Sequence, residues 1–326
     1  MAEKTKVISE AKKQARERSI VFDLPRLLLK SPSGMLGLII VLVVVFVAIF
    51  ADFIIPCTPE EIDLLNMAQP PCWAEGGSMD HILGTDILGR DIFSRILVGS
   101  RVSLLVGIFS VVVAGLIGTV MGVLSGYFGG WIDSVVMRIT DAFYSIPLTL
   151  FAMVMLTIMD PGVLTLVFVI GVTNWPFYAR MVRGEVLGLK NKEYVKAART
   201  IGTSGGMIMM RHILPNILPT FIVVSTLSVA SSILIEASLS FLGLGIQPLD
   251  VGWAIINIST LSFLGLGVQA PTPEWGAMLN EAKEVLASNP TQMIAPGIAI
   301  VALVCCFNLM GDALRDVLDP KNQGLR

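Results

Sequence analysis

The sequence predicts an all-α, polytopic membrane protein with six transmembrane helices. Three observations carry that expectation. Hydrophobic residues make up 54% of the chain and charged residues 15%, against roughly 25% charged in soluble proteins. Six apolar stretches, at about 34–55, 102–126, 137–159, 162–182, 215–240 and 293–311, approach the roughly 20 residues that a bilayer requires. The segments between them alternate in charge.

That alternation sets the orientation. Residues 1–33 hold eight basic and four acidic side chains, and 183–214 hold six basic and two acidic. Residues 52–101 hold three basic and eight acidic, and 246–292 one basic and four acidic. Because Lys and Arg are retained on the cytosolic side, both termini are expected in the cytosol of a cell whose cytoplasmic (inner) membrane holds the chain. Residues 34–50 follow a basic segment and lack a small-x-small cleavage context, so they read as a first span rather than a removable signal. The expected organisation is a cytosolic segment 1–33, a first span 34–55 and an external loop 56–101. A membrane core 102–314 follows, with a cytosolic loop 183–214 and an external loop 246–292, and then a cytosolic tail 315–326. The net charge of −2 by itself says nothing about partners; no nucleic acid is expected among them.

The most informative stretch is Glu193 to Pro219, EYVKAARTIGTSGGMIMMRHILPNILP. Its first residues read as a short amphipathic helix, with Tyr194, Ala197, Ala198 and Ile201 spaced to share one face. Lys192, Lys196 and Arg199 lie elsewhere around it. The small Ala pair lets another surface approach, Gly202 suits a helix stop, and Pro215 and Pro219 suit the first turns of the next span. A short cytosolic helix between two spans implies a part pushed by something else.

This segment resembles the signature loop of ABC-importer membrane subunits: Glu-Ala-Ala, three residues, Gly, nine residues, then Ile-x-Leu-Pro. Ala197, Ala198, Gly202, Leu214 and Pro215 match in register; Lys196 replaces the Glu and His212 the Ile. The resemblance implies docking into a groove of a cytosolic ATPase. It assigns Glu193, Tyr194, Ala197, Ala198, Arg199, Gly202 and Pro215 to coupling.

A second stretch, HILGTDILGRDIFSRILVGSRVSL from His81, opens with a turn and continues as a short helix. Ile92, Phe93 and Ile96 fall on one side and Arg90, Asp91 and Arg95 on the other. Two readings stand: a helix lying on the membrane surface, apolar side down, or a capped helix in a surface loop. The stretch is similar to the N-terminal hallmark of the C-type membrane subunit of dipeptide, oligopeptide and nickel importers. Phe307 to Asp316 with Asp319-Pro320, and Ser240 to Gly245 with Trp275, resemble the same family. PPCWAEGGSM and PTPEWGAML favour its dipeptide branch.

The resemblance implies the type I ABC-importer permease fold, with Asp86, Gly89, Arg90 and Asp91 in an external gate. It implies a homologous second membrane subunit, two ABC ATPase subunits and an extracytoplasmic substrate-binding protein as partners, within the lipid bilayer. ATP and Mg belong to the ATPase subunits: this chain has no G-x-x-x-x-G-K-[S/T] loop, and Gly205-Gly206 has no Lys after it. It is therefore expected to be a transport subunit rather than an enzyme, with no cofactor and no metal of its own. Nickel or another small solute is the alternative cargo. A different class, an ion-coupled carrier or membrane scaffold, would be expected to show repeats across its halves and paired intramembrane charges.

Several features leave alternatives open. SFLGLG occurs twice, at 240–245 and 262–267; the added segment reads as an external duplication, a re-entrant hairpin or a further span. The fifth span carries many small hydroxyl residues, which serve helix packing or a polar path. Ser232 and Glu236 are the path candidates, although Glu236 also falls near enough to the outer surface to reach water. Asp141 with Arg138 reads as an i, i+3 pair, and Asn174-Trp175-Pro176 as a kink in the fourth span. Cys57 and Cys72 share the first external loop and could pair. Cys305 and Cys306 read as packing residues, and His81 and His212 stand on opposite sides, so they cannot share a metal.

Overall fold

The computed structural model describes residues 31–159, 162–245 and 273–318. These form helices: α1 (Pro32–Ile54), α2 (Ile92–Phe128), α3 (Gly130–Ser145), α4 (Leu148–Ile158), α5 (Val163–Leu189), α6 (Glu193–Thr200), α7 (Gly205–Phe241), α8 (Trp275–Glu281) and α9 (Thr291–Leu318). Helices α1, α2, α5, α7 and α9 are each long and apolar enough to cross a bilayer, and α3 with α4 make a sixth crossing if taken together. Chain direction places one set of helix ends beside the basic loops and the other beside the acidic loops.

The third crossing is not the single helix expected over 137–159. Helices α3 and α4 meet at 87°. Pro147 is the cause: it forces Ile146 into extended backbone (φ −101°, ψ 129°), because a residue before proline is crowded out of helical geometry. In contrast, α5 passes through Pro176 as one helix, and Asn174 donates to the carbonyl of Ile170 over 2.9 Å. The fourth span is thus continuous through Asn174-Trp175-Pro176, and the chain breaks instead in the third.

Helix α2 also departs from expectation. It runs 37 residues without interruption, about 55 Å at helical rise, well beyond the ~30 Å hydrocarbon layer. The helix expected from Ile92 is thus the first turns of the second span, not a separate helix lying on the membrane. Asp91 caps it, accepting from the Ser94 N–H over 2.7 Å. Helix α7 likewise starts earlier than expected. A π turn at Met209–Ile213 joins Gly205–Ile208 to Leu214–Phe241. Pro215 does sit in the first turn of that last α segment, as read from the sequence, and the wider turn before it accommodates the missing N–H.

Helices α2 and α5 form the spine, and glycine sets their spacing. A Cβ on Gly122 would lie 2.7 Å from the Ala179 carbonyl oxygen, and one on Gly126 2.7 Å from Val186 Cβ. On the opposite helix, a Cβ at Gly171 would lie 2.7 Å from Val113. In lipid, where apolar burial gives no net drive between helices, such close backbone approach supplies dispersion contact instead. The main apolar cluster joins α1, α2, α7, α8 and α9 through Ala48, Leu104, Ile233, Met278 and Leu303. A second joins α2, α4, α5 and α7 through Val106, Ala152, Ile170 and Leu239. Helix α1 lies at the periphery, with Phe46, Ile49 and Phe53 exposed, as a lipid-facing span requires.

Gly122→Val is expected to destabilise the chain by about 1–3 kcal/mol through overpacking, lowering its melting temperature in detergent. Gly188→Ala, where a Cβ meets nothing within 4 Å, should leave that temperature unchanged.

Candidate functional site

At the basic end, α6 is fixed to the bundle by one face and bare on the other. Val195 and Ala198 are buried against Val182, Val186 and Leu189 of α5 and Ile208, Ile213 and Ile217 of α7. Tyr194 is half-buried, its ring 6.2 Å from that of His212, and the Arg199 guanidinium lies 5.5 Å from the Tyr127 ring centre. Glu193, Lys196, Ala197 and Thr200 are exposed, and Ile201 is 81% exposed. The expected single face of Tyr194, Ala197, Ala198 and Ile201 is therefore divided. Val195, which the sequence reading left out, takes the inner side with Ala198, because the helix is only eight residues long and rotates to bury its β-branched side chain. Ala197 and Ile201 form a small apolar patch facing outward.

Gly202 ends this helix as expected. Its φ of +86° is left-handed, a conformation that glycine adopts without a Cβ clash. Its N–H donates to the Arg199 carbonyl and the Thr203 N–H to that of Ala198, both at 3.1 Å. A Cβ at 202 would meet nothing within 4 Å, so only the backbone demands glycine within this chain.

Ion pairs hold the same end together. Arg183 of α5 grips Asp133 of α3 with two bonds of 2.5 and 2.6 Å. The Ser125 hydroxyl donates to Asp133, and Lys190 to the carbonyl of Gly126 over 2.8 Å. Asp141 pairs with Arg180 at 2.6 Å, not with Arg138 as expected. The two ion pairs join residues 39 and 50 apart, beyond the reach of local spacing arguments. Beside α6 an open groove of about 430 Å³ is lined by Arg180, Gly184, Glu185, Gly188 and Lys192.

At the acidic end, the four gate residues named from sequence, Asp86, Gly89, Arg90 and Asp91, lie together, joined by Arg95 and by Glu281, which were not named with them. Asp86, Arg90, Asp91 and Arg95 are each less than a tenth exposed. Asp86 accepts from Arg90 Nε at 2.7 Å and also from Arg95. Glu281, at the end of α8, accepts from both arginines at 2.8 Å. Two cations and two anions thus balance where the loop joins α2 and α8. Gly89 (φ +77°) turns the chain tightly here, directly against the Asp63 carbonyl. His81 Nδ1 lies 3.1 Å from Asp91 Oδ1. Gln292 of α9 donates to the Thr85 carbonyl at 2.9 Å and Asn289 to that of Gln69 at 3.1 Å. The arginines of this end therefore fasten a loop rather than solvate it.

Cys57 and Cys72 are separate thiols here. Burial first, and then the negative charges of Asp91, Glu61 and Asp80, push the Cys57 thiol above its usual range. Ser232 (3% exposed) and Glu236 (0%) are both buried; the water-reaching alternative for Glu236 does not hold. The second SFLGLG copy lies outside the described residues, as do residues 1–30 and Asp319-Pro320. Among the described residues, no group of three or more His, Cys, Asp or Glu side chains is arranged to hold a metal ion.

The chain is a polytopic helical bundle with one short helix half-embedded at its basic end and a buried ionic clasp at its acidic end. Residues 118–255 and 246–324 match the family described as the binding-protein-dependent transport system inner membrane component. Residues 25–71 match the N-terminal TM domain of oligopeptide transport permease C. The glutathione transport system permease protein GsiD of Pectobacterium atrosepticum is 42% identical over 284 residues, 86% of this chain and 84% of its own length. Those of Escherichia coli O157:H7 and Shigella sonnei are each 40% identical over 294 residues, 89% of this chain and 87% of theirs. The chain belongs to the C-type permease subunits of the dipeptide and oligopeptide branch of ABC importers. It is a transport component and not an enzyme. The first match to the inner membrane component family ends, and the second begins, inside the stretch between the two SFLGLG copies, as an inserted duplicate would require.

Asp86→Ala is expected to cost about 3–5 kcal/mol, because it strips two buried guanidinium groups of a shared anion. The loss should appear as a lower melting temperature and faster proteolysis of the 56–91 loop, and Glu281→Gln should have a smaller effect, since Glu281 is the more exposed anion.

Proposed function

We propose that this chain lines one half of the path of an ATP-driven importer for short peptides, glutathione foremost. In this reading the basic end faces the cytosol, both termini are cytosolic, and the acidic end faces outward. A homologous second membrane subunit supplies the other half of the path. Two ABC ATPase subunits, holding ATP and Mg, dock on the basic end, and a binding protein delivers cargo to the acidic end. The observation that carries the coupling role is the division of α6. Its inner face is bolted to α5 and α7, while Glu193, Ala197 and Ile201 stand bare.

The mechanism follows from that division. A groove closing around the bare face displaces α6, and Val195 and Ala198 transmit the displacement to the inner ends of α5 and α7. A close-packed bundle does not deform continuously, so the push selects between two packings, inward-open and outward-open. The ionic clamp of Asp133 and Arg183 and the lysine contact from Lys190 make α3, α5 and α2 move as one body. The external group of Asp86, Gly89, Arg90 and Asp91 closes the outer mouth by holding α8 against α2.

The cargo assignment draws on the relatives' printed names, on the dipeptide-like motifs of this chain and on its family. It is tested by uptake into vesicles bearing the complete complex, comparing radiolabelled glutathione, a dipeptide and nickel. Glutathione uptake exceeding the others is expected; nickel uptake alone would reverse the assignment.

Gly202→Asp should leave membrane insertion intact, since the apolar spans direct insertion, but reduce ATP-driven uptake to background by straining the left-handed helix stop and placing a charged side chain where the ATPase docks. Wild-type uptake by that variant would refute the docking role.

A further inference from the structure

Along the last turns of α5, charged side chains stand exposed at a depth where hydrocarbon does not accept them. Arg180 lies nine residues before Leu189, the end of the helix, hence about 14 Å from it along the axis. Its partner Asp141 lies eleven residues into α3 from Gly130, about 16 Å. The two side chains are 46% and 56% exposed. The Arg180 guanidinium also lies 4.2 Å from the Tyr144 ring centre. An arginine can carry its charge back to the membrane surface on a long stem, but an aspartate has no such stem. Charges at this depth face a water-filled cavity or the interior of a bundle.

From Arg180 the groove of about 430 Å³ continues to Lys192, where α6 begins, and Gly184, Glu185 and Gly188 line it between them. That volume falls within the roughly 300–1,000 Å³ of small-ligand sites. At Gly122 and Gly171 the room for a Cβ is taken by a packed helix at 2.7 Å, whereas a Cβ at Gly184 or Gly188 would meet nothing within 4 Å. The groove carries two cations, Arg180 and Lys192, and one anion, Glu185. Among the described residues, Glu185 and Lys192 make no ion pair or side-chain hydrogen bond. Arg180 spends one nitrogen on Asp141 and keeps other donors, since a guanidinium carries five N–H groups.

We propose that this groove is a cargo site near the inner end of the path, and that its ligand is a short peptide with two carboxylates and a free ammonium group. Arg180 takes one carboxylate as a planar fork, Lys192 takes the other, and Glu185 takes the ammonium. The rise from residue 180 to residue 192 is about 18 Å. An extended tripeptide covers about 11 Å of it, and the long Arg and Lys stems cover the remainder. The open glycines let the peptide backbone lie close to the helix. The site rests on the importer reading, from which it takes the passage of a peptide along this bundle, and adds where and by which groups the peptide is held. An ATPase seated on α6 leaves Arg180 uncovered, because that residue lies too far up α5. A lipid phosphate would suit the two cations, but Glu185 would repel it.

The test uses the complete complex in nanodiscs of neutral phosphatidylcholine, with Gly188→Cys as a reporter whose Cβ meets open space. Its modification by a maleimide is followed by peptide mass spectrometry, which separates it from the four native cysteines. The probe is S-methylglutathione, which has two carboxylates and an ammonium group but no thiol to consume the reagent. The probe should slow the modification. The same peptide with both carboxyls amidated should need a concentration at least about tenfold higher for half protection, the scale of one lost charged hydrogen bond. Lys192→Gln and Glu185→Gln should each raise the half-protecting concentration of the probe by about tenfold. No protection by the probe, or equal protection by the amidated peptide, would overturn the proposal. So would slowing by phosphatidylglycerol in the disc with no peptide added, which would give the groove to lipid. Should the charge variants fail to assemble, the amidated peptide decides against the native charges. Labelling needs no uptake. Vesicles that import no peptide would therefore refute the cargo assignment alone, and absent protection beside active uptake would refute the groove alone.

Discussion

The seam between α2 and α5 is the contact on which the remaining structure depends. Gly122 and Gly126 on one helix and Gly171 on the other bring two backbones together with no room for a methyl group. Lipid offers helices no hydrophobic reason to associate, so contact at this distance is what makes the pair a rigid body. Helix α7 packs along α2, α9 along α7, and α1 on the outside. A looser seam would disengage the two ends of the bundle from each other.

Each end of that body is finished by charge. At the basic end Arg183 reaches from α5 to Asp133 of α3, and at the acidic end Arg90 and Arg95 share Asp86 and Glu281. Partly buried charges of this kind are costly to desolvate and still costlier to leave alone, so they fix geometry more than they add stability. In the function proposed above, a displacement of α6 would pass into α5 and α7 through Val195 and Ala198, which are packed against them, and along the α2–α5 spine to the end where α8 is fastened by a clasp of side chains. An importer needs this division: a stiff transmission with contacts at its ends that can change partners.

Much of this was legible in the sequence. Five of the six expected spans appear as uninterrupted helices, because twenty apolar residues in lipid have few alternatives to an α-helix. The helix at Glu193 and its stop at Gly202 were also legible, since caps and glycine stops are local signals. Asp86, Gly89, Arg90 and Asp91 were marked as a group, for an external gate, although not their burial in one clasp. The third crossing was misjudged because hydropathy does not weigh one proline. The face of α6 was misjudged because an eight-residue helix has too few turns for periodicity to fix its rotation. For Glu236 the sequence left a polar path and contact with water both open, because counting residues along a helix gives depth but not which neighbour covers it.

The sequence by itself determined that the chain crosses a membrane, which loops carry positive charge, and where a short polar helix interrupts the spans. These follow from composition and from residues close together along the chain. Tertiary structure decided the partners of the charges: Glu281 for Arg90 and Arg95, Asp133 for Arg183, and Arg180 for Asp141. Those pairs are between 39 and 191 residues apart, and what selects them is the packing of whole helices. A charge in a protected site takes the partner that the helices deliver to it, and no local pattern records which one that is.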